Sequence, residues 1–264
     1  MEYQNVLFDI DESVAIMTLN RPNKLNAYTN ELGKEFLDVL QRVKRESQIR
    51  VLIITGAGRA FCSGVDLDQC RQAIEEREKG NKEWHNHLLE WITTTPKLMM
   101  ELGKPIIAAI NGTAIGMGCS IALACDIRIA SESASLALSF SKVALIPEFG
   151  STYTLPRIVG LAKALELVLS NAVLNAAEAK RIGLVNEVIP SSKNLMVRVR
   201  ELASSLAKNS PLSIGLVKQG LYQGAMGKID EQLKWEGWGL DTCFDSMDHT
   251  EGVKAFLEKR EPHF

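Results

Sequence analysis

The sequence predicts a single α/β domain built from strand–turn–helix units. Two apolar, β-branched runs, residues 51–55 and 106–110, are each followed by small residues and glycines and then by the start of a helix. Beyond Pro147 the apolar residues recur at helical spacing along most of the remaining chain. The 264 residues, 46% of them hydrophobic, are enough for one full core, and no linker composition, low-complexity stretch or internal repeat marks a break.

Taken in order, residues 3–10 and 13–19 alternate as a hairpin across Asp11-Glu12. Residues 29–47 form a helix opened by Thr29, whose hydroxyl can accept from the free N–H groups of a first turn. The strand at 51–55 is apolar on both faces and is expected to be covered on both. Residues 69–82 are charged and poor in large apolar side chains, which predicts a mobile helix or loop, and 84–102 resume a helix. Strands follow at 106–110 and 126–130. Helices are expected at 152–159, 162–169, 176–181, 194–207, 211–222 and 229–244, with a short strand at 184–189.

Charge and cysteine content narrow the function classes. A formal net charge of −2 offers no positive surface to displace counterions, so no nucleic-acid partner is expected. The basic stretch at 42–50 is interrupted by Val43, Glu46 and Ile49 and reads as a solvated helix end. Five cysteines without a Cys-x-x-Cys pair predict reduced thiols in a cytoplasmic setting rather than disulfides or structural zinc. Cys119 lies near a helix start that would favour a thiolate, but no histidine stands near it in sequence, and it reads as a small buried hydrophobe. His85 and His87 point apart on a helix, so no metal site is expected. The first residues, Met-Glu-Tyr-Gln-Asn, lack the apolar stretch of a signal peptide, and Glu-Pro-His-Phe is not a peroxisomal address. No apolar run reaches the ~18 residues that span a bilayer, so no membrane partner is expected.

Two segments carry chemistry. In residues 105–126, Gly116 and Gly118 let the backbone come close to a ligand where a helix begins, and the unpaired N–H groups of that first turn can hold a carbonyl oxygen gaining negative charge. Residues 51–67 repeat the pattern, with Gly56, Gly58 and Gly64 ahead of a polar helix start at 66–68. Two such turns can face one oxygen.

With Asn-Arg-Pro-Asn-Lys-Leu-Asn-Ala at 20–27 and Glu-Gly-Val-Lys-Ala-Phe-Leu-Glu-Lys-Arg at 251–260, these segments resemble, in order and over nearly the whole chain, the crotonase superfamily of enoyl-CoA hydratases and isomerases. The resemblance implies a spiral of strand-strand-helix turns over 1–195 holding an acyl-CoA site. It also implies a C-terminal helical region over 196–264 that assembles a homotrimer or a dimer of trimers. The large apolar groups Trp235, Trp238, Leu240, Phe244 and Phe256 agree with burial against another subunit. Coenzyme A enters as part of the substrate thioester, and no further cofactor is implied.

The family's thioester carbonyl lies between backbone N–H groups that carry over to Val65 and Met117. Substrate contacts carry over to Lys24, Asn26, Ala60, Ser63, Asp66, Leu67 and Asp68, and to Gly116, Ser120 and Phe140. Phe256 and Lys259 are placed against the coenzyme A of a neighbouring subunit. Met117 stands where many relatives have glycine and is expected to narrow the acyl pocket.

Hydratases of the superfamily use two glutamates, one directly after the Gly-Cys of the turn and one twenty residues on. Here those positions are Ser120 and Phe140, so the pair that positions a water is missing. Glu148, in Pro147-Glu148-Phe149-Gly150, reads by itself as a carboxylate complementing the dipole of a first helical turn. The 3-enoyl-CoA isomerases keep their single catalytic carboxylate in this stretch, and Glu148 matches it. The resemblance therefore implies an isomerase that moves a double bond from C3 to C2 through an enolate, with Phe140 and Phe149 raising the carboxyl's pKa. Three alternatives stay open. One is an epoxide-ring or other enolate-forming isomerase, and another is a hydratase or hydrolase working through Ser120, Ser139 or Asp68. The third is a non-catalytic acyl-CoA-binding protein.

Overall fold

The computed structural model describes residues 3–225 and 227–264, and of Trp84 and His85 the backbone alone. Strands β1 (Val6–Asp11) and β2 (Val14–Leu19) form the expected hairpin, with Asp11 opposite Val14 and Glu12 in the left-handed conformation at the turn. β1 starts later than the sequence predicts. Tyr3 instead donates its hydroxyl to Asp38 Oδ2 at 2.7 Å, on helix α1 (Asn30–Arg45). Thr29 caps α1 by accepting from Leu32 N at 3.1 Å, and Leu32, Phe36, Val39, Leu40 and Val43 form its buried face.

A spiral follows. β3 (Val51–Gly56) leads into β4 (Ala60–Cys62), then helices α2 (Leu67–Glu78) and α3 (Glu83–Glu101). β5 (Ile106–Ile110) leads into β6 (Thr113–Ile115), then α4 (Met117–Ala124), and β7 (Ile127–Ser131) leads into β8 (Ser135–Ala137). Each turn lays its first strand in one sheet and its second in another. The first sheet, in the order β1-β2-β3-β5-β7-β10, is closed by β10 (Glu187–Ile189), and the second, β4-β6-β8-β9, by β9 (Leu174–Asn175). The pairings β3–β5–β7 and β4–β6–β8 are parallel, which requires a crossover connection at each turn.

After β8 come α5 (Ser151–Val159) and α6 (Leu161–Ser170), then α7 (Ala176–Arg181) following β9, and beyond β10 the helices α8 (Ser192–Ala207), α9 (Pro211–Gly224), α10 (Ile229–Phe244) and α11 (Met247–Glu258). Both faces of the larger sheet are covered, which is why its central strands read as unbroken apolar runs. One face, with Leu52, Ile54, Ala108 and Ile110, packs into the main core with Phe36 and Phe61. The other, with Val14, Ile16, Val51, Ile53, Ile107 and Ile129, is covered by Leu195, Val199 and Ala203 of α8.

Two expectations, the division at 195 and the extent of the strand at 184–189, need correction. The division drawn at 195 cuts through α8, which belongs to the sheet's own core. α9 is also tied to that core: Lys218 donates to Met99 O, Lys104 O and Asp126 Oδ2 at 2.9, 3.1 and 2.8 Å, and Tyr222 donates to Asp126 Oδ1 at 2.9 Å. The strand expected at 184–189 pairs only from Glu187, although Leu184 and Val185 are buried. Of the helix or loop expected over 69–82, the structure takes the helix, capped by Asp66 and running over residues 67–78. Among the described residues, no helix is long and apolar enough to cross a membrane.

Candidate active site

The glycine turns that follow β4 and β6 come together because those strands are neighbours in the smaller sheet. Gly64 has φ +105°, and a Cβ there would stand 3.2 Å from Ile115 O and 4.0 Å from Met117 N. Gly116 has φ +52°, and a Cβ there would stand 3.9 Å from Gly64 Cα. Only glycine takes both conformations without strain. Gly118 is required for another reason: a Cβ would fall 2.0 Å from Cys62 O, so α4 can start this close to β4 only without one.

The two amides beyond these turns lie on adjoining segments, Met117 N being 4.0 Å from where a Gly64 Cβ would stand. Tyr28 N donates to Gly64 O at 2.7 Å and Asp66 N to Tyr28 O at 2.9 Å, a parallel bridge that leaves the intervening Val65 N–H directed away from Tyr28. Met117 opens α4, where an N–H has no intrahelical partner. Among the described residues neither amide donates to a protein acceptor. A pair of unpaired donors at a helix N-terminus stabilises an oxyanion without a charged side chain.

Around this pair the 20–27 segment forms a braced ledge. Arg21 bonds Ala27 O and pairs with Asp66 Oδ2 at 2.9 Å, while Asp66 caps α2 through Asp68 N and Gln69 N. Asn26 is fully buried and uses its amide on Ala57 O and Ala60 O, with its oxygen accepting from Arg21 N, so its polar capacity is spent inside the fold. Ala60 is buried with it. Ser63 is partly open, Leu67 is exposed, and Lys24 pairs with Asp68 at 2.8 Å on the surface. Each partner in that exposed pair favours the other's charged form.

Glu148 is not the first-turn helical residue that its Pro-Glu context suggests by itself. α5 begins at Ser151, behind a Gly150 N-cap, so the carboxylate does not complement that helix as a first-turn residue. Phe149 and Gly150 are both left-handed, at φ 55° and 75°, a costly conformation for an aromatic residue and one that turns the chain sharply beside Glu148. The turn is held by Ser151, which donates its N–H and hydroxyl to Glu148 O at 3.0 and 2.6 Å. Phe149 is buried edge-on against Phe36, with ring centroids 6.5 Å apart. Glu148 Oε1 is buried without a hydrogen-bond partner, and burial pushes the carboxyl up to about 7.

The other predicted positions fall into two groups. Phe140 is buried, with its ring edge 3.8 Å from where a Gly116 Cβ would stand, and Ser120 is fully buried with an unpartnered hydroxyl. Phe256 is 84% exposed and lines a surface cavity of about 470 Å³ with Ser210, His249 and Leu257, and Lys259 caps α11. Cys119 is buried and its thiol is pushed up to about 12, which keeps it protonated and inert. The side chain of His85 lies outside the described residues.

The structure adds residues that sequence reasoning missed. Arg21 is the clamp of the first motif, and its pairing with Asp66 joins positions far apart in sequence. Tyr28 has its phenol pKa raised first by burial, then by the charges of Cys62 and Glu148. Trp91 and Thr95, on α3, have buried polar atoms without partners.

A two-sheet spiral whose neighbouring strands end in paired, amide-bearing turns is the crotonase fold. The chain belongs to the enoyl-CoA hydratase/isomerase family, whose model matches residues 9–264, and it is an enzyme of that family. It is 37% identical to the short-chain-enoyl-CoA hydratase of Clostridium acetobutylicum, over 99% of this chain and 97% of that protein. It is 35% identical to the 1,2-epoxyphenylacetyl-CoA isomerase of Escherichia coli, over 98% and 97%. The crystal structure of an enoyl-CoA hydratase from Bacillus anthracis superposes with a TM-score of 0.91 at 37% identity, covering 99% of both chains.

Proposed function

We propose that this protein moves the double bond of a 3-enoyl-CoA from C3 to C2, with Glu148 as the only acid and base. The observation that carries this reading is Glu148, whose Oε1 is buried without a partner, whose carboxyl is pushed by burial up to about 7, and whose charge acts on Tyr28 and Cys62 next to the first amide-bearing turn. The C2 proton of a 3-enoyl thioester is acidified by the carbonyl and the adjacent double bond. Glu148 takes it, the Val65 and Met117 amides hold the dienolate oxygen, and Glu148 returns the proton at C4. A carboxyl poised near neutrality suits a group that must both accept and donate. Each amide is worth about 3 kcal/mol to the enolate by analogy with other oxyanion holes. Coenzyme A takes part only as the body of the thioester, and the reaction needs no separate cofactor.

The hydratase names of several relatives favour a second reading, addition of water to a 2-enoyl-CoA. That chemistry needs a second group to orient the water, and the two positions where hydratases carry their glutamates are here Ser120 and Phe140, both buried. Incubation with matched 3-enoyl and 2-enoyl thioesters separates the readings: conversion of the first to the second supports isomerisation, and release of a 3-hydroxyacyl-CoA from the second overturns it. The same reading includes assembly into a trimer or a dimer of trimers. It is supported by the exposure of Leu221, Ile229, Trp238, Leu240, Phe244, Met247, Phe256 and Leu257 on consecutive helices, large apolar groups that association would take out of water.

A further inference from the structure

Among the described residues, three buried hydrogen-bonding groups have no partner: Tyr28 Oη, Trp91 Nε1 and Thr95 Oγ1. Tyr28 and Thr95 are fully buried as whole residues. Trp91 and Thr95 are one turn apart on α3 and therefore share a face. α1 packs against that face through Gly33, where a Cβ would stand 2.8 Å from Tyr28 Oη and 3.2 Å from Trp91 Cδ1. The next residue of α3, Pro96, lies 3.7 Å from where a Gly150 Cβ would be, so the same helix borders the Glu148 turn. The charge of Glu148 also acts on the Tyr28 phenol.

Folded proteins rarely leave one such group unpaired, and three together border a place where a partner belongs. The indole N–H only donates, and both hydroxyls can donate, so the partner is an acceptor. The Glu148 charge acts on Tyr28, so an anionic partner there would meet a like charge. These requirements leave a neutral acceptor oxygen. We propose that the acyl group of the thioester substrate carries a ketone or ether oxygen beyond its reacting carbons, received by Tyr28, Trp91 and Thr95. The inference rests on the thioester site described above.

Binding of saturated thioesters, which have no double bond to move, tests it apart from the reaction. Dissociation constants are measured by calorimetry for heptanoyl-, 5-oxoheptanoyl- and 6-oxoheptanoyl-CoA. One oxo thioester is expected to bind at least ~10-fold more tightly than heptanoyl-CoA, the ratio of about one hydrogen bond made or lost. The double substitution Trp91→Phe, Thr95→Val should bring the two to parity by weakening the oxo thioester alone. If the wild-type protein binds heptanoyl-CoA as tightly as both oxo thioesters, the donors hold water or nothing and the inference is wrong. It is equally wrong if the double variant weakens all three alike. Binding without preference overturns this inference alone, whereas failure to bind any of the three overturns the thioester site and this inference with it.

Discussion

Replacing Glu148 by Gln keeps the side chain's size and removes its charge, and the structure sets two magnitudes for the result. Burial raises the carboxyl from 4.5 to about 7, so between those values the folded protein holds a proton that the unfolded chain has released. Stability therefore falls as pH rises through this window. The loss is absent below the unfolded value and complete above the folded one, where it reaches about 3 kcal/mol. Glu148→Gln escapes it. Relative to wild type, the variant should gain about 2 kcal/mol between pH 5.5 and pH 8.5, read from urea unfolding at equal protein concentration. Activity moves the other way: turnover should fall by about 10⁴-fold, the upper end of general acid–base catalysis, because one group makes both proton transfers. Thioester affinity should hardly change, and exchange of the C2 proton with deuterated water should vanish with turnover. The wild-type kcat/KM should drop about tenfold per pH unit below about 7, as the base is titrated. Stability curves that run parallel for wild type and variant would refute the burial of this charge. A variant that isomerises within tenfold of wild type would refute the single-base mechanism.

Gly64→Ala forces a side chain into φ +105° and towards Ile115 O, displacing the Val65 amide; kcat should fall about 10²-fold or more with little change in thioester affinity, measured by turnover and calorimetry. Met117→Gly deletes a fully buried side chain but no donor, so it should cost about 3 kcal/mol in unfolding experiments and keep the rate of the folded enzyme within about tenfold. Lys218→Ala leaves the partly buried Asp126 with only Tyr222 Oη and Ile106 N as donors and strips the Met99 and Lys104 carbonyls of theirs, and should cost about 3 kcal/mol in urea unfolding. Light scattering at micromolar concentration should give a mass of three or six chains, and a monomer would refute the assembly reading.

How much was legible in the sequence depends on whether a residue's role is local. The strands at 51–55 and 106–110, the Thr29 cap and the helices beyond Pro147 follow from neighbours within a turn or two, and each stands in the structure within a few residues. The short strands β4, β6, β8 and β9 left no trace, because two or three residues carry no period and are set by the strands beside them. The glycines of the two turns were visible as punctuation, but that Gly64 and Gly116 face one another depends on β4 and β6 being neighbours.

By itself, then, the sequence determined the α/β class, the two glycine turns with their free amides, and the absence of carboxylates at 120 and 140, since all of these rest on residue identity and short spacing. Only the tertiary structure decided that Glu148 Oε1 is buried and unpaired, because burial belongs to what packs around a group rather than to its neighbours in the chain. Long-range packing also decided that Asn26 is a brace with no free donor, and that α8 and α9 are part of the core. Tyr28, Trp91 and Thr95 likewise meet only because α1 and α3 pack together, and a contact between segments distant in sequence has no signature in either segment alone.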